Sequence, residues 1–322
     1  MLRLKSRLDR GLSRILPRPV YLGARRRYYD ARTIVRRNPG RGRVLPDFIV
    51  FGAAKSGTTS LYGRLSEHPF VEPCTTRDGR FGNTKEVRFF DYNWYRGSDW
   101  YRSHFPLERS RREFEAEHGR PFLTGEGSPT YISNLWAPAR VRQTVPDVKL
   151  IAVLRNPVDR AYSHFQFSRR DGTEECESFE DAVAREEGRL QPEWERMAAD
   201  PRYNSWNFGG WSYLARGRYA EQIERWLARF PREQFLFLKA EDLFADQQQA
   251  LDTLHEFLGL SPHRVAGADR LNVSPEYDML PPHVREELDD YFRPHNERLY
   301  ELVGIDFGWE QAAPHRAAQP AS

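Results

Sequence analysis

Cysteine is nearly absent from this 322-residue chain: Cys74 and Cys176 stand alone, far apart, and match neither a CxxC nor a zinc spacing. A disulfide framework is excluded, and a reducing cytoplasm is the expected compartment. Nine histidines never fall into HExxH or a paired spacing, so no metal site is expected. No stretch approaches the about 18 consecutive apolar residues of a membrane span. The Arg-rich N-terminus lacks the apolar core of a secretory signal. A dominant charge is lacking too, with 49 Lys and Arg against 46 Asp and Glu, a net of +3. That balance excludes a uniformly basic binder of nucleic acid.

The balance hides an uneven distribution. Residues 1–45 carry 14 Lys and Arg against only Asp9 and Asp30, so an acidic remainder follows a basic arm. The arm ends in the turn-rich Asn38-Pro39-Gly40-Arg41-Gly42. Peripheral contact of this arm with an anionic surface is one expectation, and a merely solvated tail is the other. Lysine is scarce: Lys5, Lys55, Lys85, Lys149 and Lys239 stand among 44 arginines. A chain that defaults to the planar Arg fork is informative where it keeps a compact ammonium.

From Pro46 the pattern becomes that of a globular α/β domain. Asp47–Phe51 is a short apolar run read as a buried strand, and it leads into Gly52-Ala53-Ala54-Lys55-Ser56-Gly57-Thr58-Thr59. A helix is expected from Thr58 to about His68. Val148–Leu154 repeats the motif and runs through Arg155-Asn156 into a helix opened by Pro157. Gln234–Leu238 is a third strand, between helices expected at Tyr219–Phe230 and Ala245–Leu258. Residues 174–200 read as helical, as do residues 283–303, where Pro294 should break or kink the helix. These alternations predict a single α/β domain with a central, mainly parallel sheet flanked by helices.

A glycine loop between strand and helix presents backbone N–H groups to an anion, and Lys55 adds a full charge. Ser56, Thr58, Thr59 and Ser60 add hydroxyls beside Gly57. The ATP and GTP loop requires Lys directly after its second glycine, and here Lys55 precedes Gly57. No strand ends in an evident magnesium-binding Asp. Sulfuryl transfer moves less negative charge than phosphoryl transfer, so a lysine and N–H donors can suffice without metal. Arg155 stands at a strand's C-terminal end, where its fork can grip a phosphate. Ser163 follows two helical turns later.

Pro46–Pro69 resembles the 5′-phosphosulfate-binding loop of sulfotransferases that use 3′-phosphoadenosine 5′-phosphosulfate (PAPS), above all the heparan sulfate N- and 3-O-sulfotransferase branch and its bacterial relatives. The resemblance extends over about residues 46–310, leaving 311–322 as an expected disordered tail. It implies a P-loop-like sulfotransferase fold, PAPS as donor and PAP as product, with no metal. It also implies that Arg155 and Ser163 hold the 3′-phosphate. Lys85-Glu86-Val87-Arg88-Phe89-Phe90-Asp91 resembles the branch's base-bearing segment, which makes Glu86 the base and Lys55 its catalytic partner. On the residues alone, the same segment also reads as a solvated strand or a plain Lys–Glu pair.

The acceptor side departs from the branch. Arg88 stands where the 3-O enzymes usually carry His, Gly127 where they carry Lys, and Phe167 where the N-enzymes carry a catalytic His. The branch's closing Lys-Gly-Arg loop is replaced by Asn272–Tyr277. Heparan-type 3-O-sulfation is therefore not expected to be copied, and the acceptor, a carbohydrate by resemblance, stays open. Lys85, Arg88 and Trp211 are its candidate contacts, with Trp206 and Tyr213 nearby. His164 reads as a packed helix residue and Arg160 as structural or solvent-facing. Trp100 and Phe105 read as core. Two rivals stand beside this reading: a kinase-like nucleotide phosphotransferase, and a non-catalytic scaffold whose arm binds polyanions.

Overall fold

A computed structural model describes residues 41–75, 85–265 and 279–311. The described residues lie almost wholly in a unit spanning Gly42–Ser322. The arm before residue 41, the segment Asn272–Tyr277 and the tail beyond residue 311 lie outside them.

Among the described residues five strands make the frame: β1 (Phe48–Gly52), β2 (Val71–Pro73), β3 (Leu123–Glu126), β4 (Lys149–Leu154) and β5 (Phe235–Lys239). Their order is β2-β3-β1-β4-β5 and every pairing is parallel. The connections hold helices α1 (Thr58–Leu65), α2 (Ser98–Arg102), α3 (Glu108–His118), α4 (Ala137–Thr144), α5 (Pro157–Arg170) and α6 (Phe179–Ala184). Then come α7 (Glu186–Ala199), α8 (Trp206–Trp211), α9 (Tyr219–Leu227), α10 (Ala240–Ala245), α11 (Gln247–Leu258) and α12 (Pro282–Val303). The domain is α/β with an all-parallel sheet, somewhat stricter than the mainly parallel one expected. β1 and β4 are apolar throughout their central positions because both of their faces are covered.

Asp47 sets the register of the three central strands. Its N–H donates to the Thr124 carbonyl at 2.7 Å, and its carboxylate accepts from the Thr124 N–H at 2.8 Å. Its carbonyl accepts from the Lys149 N–H at 2.9 Å. Behind the sheet, Trp226 packs 4.6 Å from Phe51 and donates its indole N–H to the Ile132 carbonyl. Ile132 in turn donates its N–H to the Phe51 carbonyl, so the segment after β3 is tied to β1.

Several local expectations are corrected. β2 and β3 are strands that periodicity missed, being only 3 and 4 residues long. The Glu86 segment is no strand, and its Phe89–Asn93 part is a single π-helical turn. Residues 179–199 divide into two helices at Arg185, and a short α10 precedes α11, with Asp246 capping the latter. Pro294 neither ends nor interrupts α12. The residue lies on the exposed face, so water can reach the carbonyl that its missing N–H leaves free.

Close strand packing yields a stability test. A Cβ on Gly125 would lie 2.4 Å from the Phe48 carbonyl oxygen, a backbone atom of the neighbouring strand. Gly125→Ala should therefore destabilise the fold by about 1–3 kcal/mol or more, as overpacking does. Urea unfolding measures it, and an unchanged midpoint would contradict the packing described.

Candidate active site

The C-terminal ends of β1 and β4 adjoin, and their connections leave in opposite directions, β1 towards β2 and β4 towards β5. Such a switch point is where open parallel sheets bind ligands. The loop after β1 turns through Lys55 at φ 75° and Gly57 at φ 86°, two left-handed residues on either side of Ser56, whose N–H donates to the Ala53 carbonyl at 3.3 Å. At Gly57 a Cβ would meet the Phe244 ring at 2.8 Å, so space as well as φ demands glycine. Helix α1 then begins with no side-chain cap, leaving its N-terminus for another hydrogen-bond acceptor. Ser56 is fully buried beside the Tyr219 hydroxyl.

Lys55 is half-buried, its ammonium 4.5 Å above the Phe167 ring. Burial lowers its pKa to about 8, and Arg170, Arg155 and Arg160 push the same way. Arg155 follows β4 directly and donates to the Lys55 carbonyl at 3.3 Å. The Arg155 carbonyl accepts from Tyr219 at 3.0 Å, while Asn156 caps α5 through the Val158 and Asp159 amides. Ser163 is buried two turns along that helix. Among the described residues no carboxylate pairs with Lys55 or Arg155. Cations crowded together without an anion are costly unless a ligand supplies one.

Neighbouring residues on α5 do other work. Arg160 is fully buried rather than solvent-facing, and its guanidinium donates to the Ser212 and Tyr213 carbonyls at 3.3 and 2.6 Å. His164 is buried and its Nε2 meets the Gly209 carbonyl at 3.1 Å, which places the hydrogen on that nitrogen. Burial, then Arg160, Arg216 and Lys55, hold its pKa well below 6.5, so it is a poor proton acceptor. Ser60 lies inside α1 and its hydroxyl accepts from Gln247.

Glu86 sits on a second support, the chain leaving β3. Lys85 is fully buried and exchanges two bonds with Gly127: its ammonium donates to the Gly127 carbonyl at 2.8 Å, and its carbonyl accepts from the Gly127 N–H at 2.9 Å. The half-buried Glu86 carboxylate lies 3.6 Å from that ammonium and 3.9 Å from the Arg88 guanidinium. Arg88 is left-handed at φ 56°, donates to Asp91 at 2.7 Å and covers the Tyr92 ring at 4.3 Å. Below lies Glu126, fully buried and pushed up to about 7 by desolvation even though it accepts hydrogen bonds from four donors. Since β3 neighbours β1, topology brings the Glu86 support to the same edge of the sheet as the Lys55 loop.

A family model described as a sulfotransferase domain matches residues 45–272. The chain belongs to the sulfotransferase domain family. Heparan sulfate glucosamine 3-O-sulfotransferase 6 of Homo sapiens is 31% identical over 296 residues, covering 84% of this chain and 75% of that protein. Heparan sulfate glucosamine 3-O-sulfotransferase 3A1 of Mus musculus is 29% identical over 289 residues, covering 83% of this chain and 65% of that protein. This chain thus spans about two thirds of the length of some of the curated relatives it matches. The crystal structure of a sulfotransferase from Alicyclobacillus acidocaldarius shares the fold at TM-score 0.63 and 29% identity, covering 84% of this chain and all of that one.

The donor that this sulfotransferase family implies, PAPS, is polyanionic, and the residues present fit it. Among the described residues Lys55 and Arg155 have no carboxylate partner, and the α1 N-terminus has no side-chain cap. Other candidate residues are engaged elsewhere. Trp211 is half-buried, donates to the Thr173 carbonyl at 2.9 Å, and has Arg189 over its ring. Tyr213 is fully buried against Glu174. Phe105 is core, and Trp100 packs partly exposed against it. Sequence reasoning gave no role to Glu126, Tyr131 or Arg216. The last is lowered to about 10 by burial and Arg160, and its guanidinium lies over Phe208.

Packing behind the Glu86 support leads to a reactivity test. Cys74 Sγ lies 3.6 Å from the Lys85 carbonyl beside the Tyr62 hydroxyl, and burial pushes its thiol up to about 12. At pH 8 only about one part in 10⁴ would be thiolate. Iodoacetamide should leave Cys74 unmodified in the native protein and alkylate it after unfolding, as mass spectrometry would show. Rapid native alkylation would mean that this packing opens.

Proposed function

We propose that the protein transfers the sulfuryl group of PAPS to a hydroxyl or amine of a glycan acceptor. The observation that carries this reading is the pair of cations Lys55 and Arg155, which among the described residues have no carboxylate partner, beside a helix N-terminus with no side-chain cap at the sheet's switch point. In this reading the loop amides, Lys55, Ser56, Gly57, Thr58, Thr59 and Ser60 surround the 5′-phosphosulfate. Arg155 and Ser163 hold the 3′-phosphate, which orients the sulfuryl group for in-line attack. Glu86 accepts the acceptor's proton as its oxygen or nitrogen bonds to sulfur. The bond from sulfur to the bridging phosphate oxygen breaks, PAP leaves, and Lys55 with the amides stabilises the charge developing on that oxygen.

A glycan acceptor is supported by relatives named for heparan sulfate glucosamine. Arg88 and Gly127, where the heparan branch carries His and Lys, support acceptor contacts different from that branch's, whereas Lys85 is buried against Gly127 and Trp211 is held by the Thr173 carbonyl. Neither rival gains support. The Walker order is absent from the loop, and the family match covers the domain rather than the arm. The cytoplasm remains the proposed compartment, supported by two free, buried cysteines. Among the described residues no helix is long and apolar enough to cross a membrane.

Incubation with ³⁵S-labelled PAPS and a panel of glycans should yield a labelled product, identified by mass spectrometry. Lys55→Ala and Glu86→Gln should each lower transfer by about 100-fold or more, the scale of a lost charge-stabilising group or general base. PAP should bind far more tightly than AMP, and equal affinities would undercut Arg155 and Ser163. The pH dependence follows from Lys55. An anion beside the ammonium raises its pKa, so the complex retains a proton that the free protein sheds above about 8. PAP affinity should be level between about pH 7, where its phosphates are fully ionised, and about pH 8, and then weaken by up to tenfold per unit, measured by calorimetry. An affinity unchanged up to pH 9.5 would remove Lys55 from the anion site.

A further inference from the structure

We propose that Glu126 is a positioning residue for the base Glu86, acting through the hydroxyls of Ser128 and Tyr131. The inference rests on the proposed role of Glu86. Four consecutive amides after Glu86 are held from below. Val87 N–H donates to Glu126 Oε2 at 3.2 Å, and Arg88 N–H to Ser128 Oγ at 3.0 Å. Phe89 and Phe90 N–H both donate to the Tyr131 hydroxyl, at 2.7 and 3.3 Å. Glu126 decides which way those hydroxyls point. Ser128 donates to it at 2.6 Å, Tyr131 at 3.0 Å and Tyr101 at 2.8 Å. When Glu126 is ionised, as it is above about pH 7, their protons are committed to its carboxylate, and Ser128 and Tyr131 turn lone pairs towards the amides.

The backbone needs that grip. Arg88 adopts φ 56° and ψ 33°, a conformation that costs a non-glycine residue about 1 kcal/mol or more and persists where its surroundings impose it. From above, Asn93 Nδ2 donates to the Val87 and Arg88 carbonyls, both at 3.1 Å. Glu86 is the residue just before this clamp, and its carboxylate direction follows the strained turn. Every clamping side chain except Asn93 is buried, so water cannot take over the lost bonds.

Glu126→Gln preserves shape and breaks the logic, because an amide NH₂ must replace one acceptor oxygen among four donors. Facing Val87 it opposes an N–H that cannot turn, and facing Tyr131 it drives the hydroxyl proton towards Phe89. Tyr131→Phe removes the hydroxyl and keeps the ring, as a second variant independent of charge. Both should lower the turnover number by about 100-fold, the scale of a displaced catalytic group, with the PAP dissociation constant within about twofold of wild type. In a Glu86→Gln background each should cost less than about threefold more, since the group being positioned is gone. Wild-type turnover in both variants, or an undiminished further loss in the Glu86→Gln background, would overturn the proposal. If Glu126→Gln does not fold, Tyr131→Phe and Ser128→Ala carry the same comparison. Wild-type turnover in Glu86→Gln alone is a different failure, one that removes the base assignment itself.

Discussion

The parallel pairing of β1 with both β3 and β4 is the constraint on which the site depends. Asp47 fixes it with three hydrogen bonds that bind the starts of all three strands to one residue. Once those strands are level, their C-terminal ends are level too. The Lys55 loop, the Arg155 turn and the Gly127 crossing then share one edge of the sheet. The packing admits little adjustment, because Gly125 lies against the Phe48 carbonyl and Gly52 against Ile132.

Two electrostatic regimes meet at that edge. On the β1–β4 side, Lys55, Arg155 and Arg170 crowd together and the lysine loses part of its hold on its proton. That instability in the free protein is what a polyanionic donor would relieve. On the β3 side the charges are matched in pairs. Lys85 stands by Glu86, Arg88 is bonded to Asp91, and the buried Glu126 is surrounded by donors. One side gathers unmatched positive charge, and the other balances its charges locally.

Much of the donor side was legible in the chain. A short apolar run ending in Gly52-Ala53-Ala54-Lys55-Ser56-Gly57 reports a strand, a left-handed turn and a helix start through local rules alone. Val148–Leu154 followed by Arg155-Asn156-Pro157 reports the same, with Asn156 capping the helix that Pro157 opens. The Glu86 side was legible only by resemblance. Its turn is set by no local preference, since Arg88 is left-handed without being glycine or asparagine. Pro294 misled for the opposite reason: local chemistry forbids it in a helix interior, and exposure removes most of the cost.

The scarcity of lysine and cysteine thus acquires structural content. Lys55 and Lys85, two of five lysines, stand on the two halves of the candidate site, and both cysteines are buried and outside any disulfide. Sequence by itself determined the strand–loop–helix units, the glycine turn between strand and helix, and the family, because these depend on residues adjacent in the chain. Tertiary structure alone decided that Lys85 reaches Gly127 and that Glu126 grips Val87, across separations of 42 and 39 residues. It also decided that His164 is neutral and Arg160 a buried brace. Those outcomes depend on burial and on distant partners, and a side chain's chemistry does not reveal which carbonyl it will meet once water is gone.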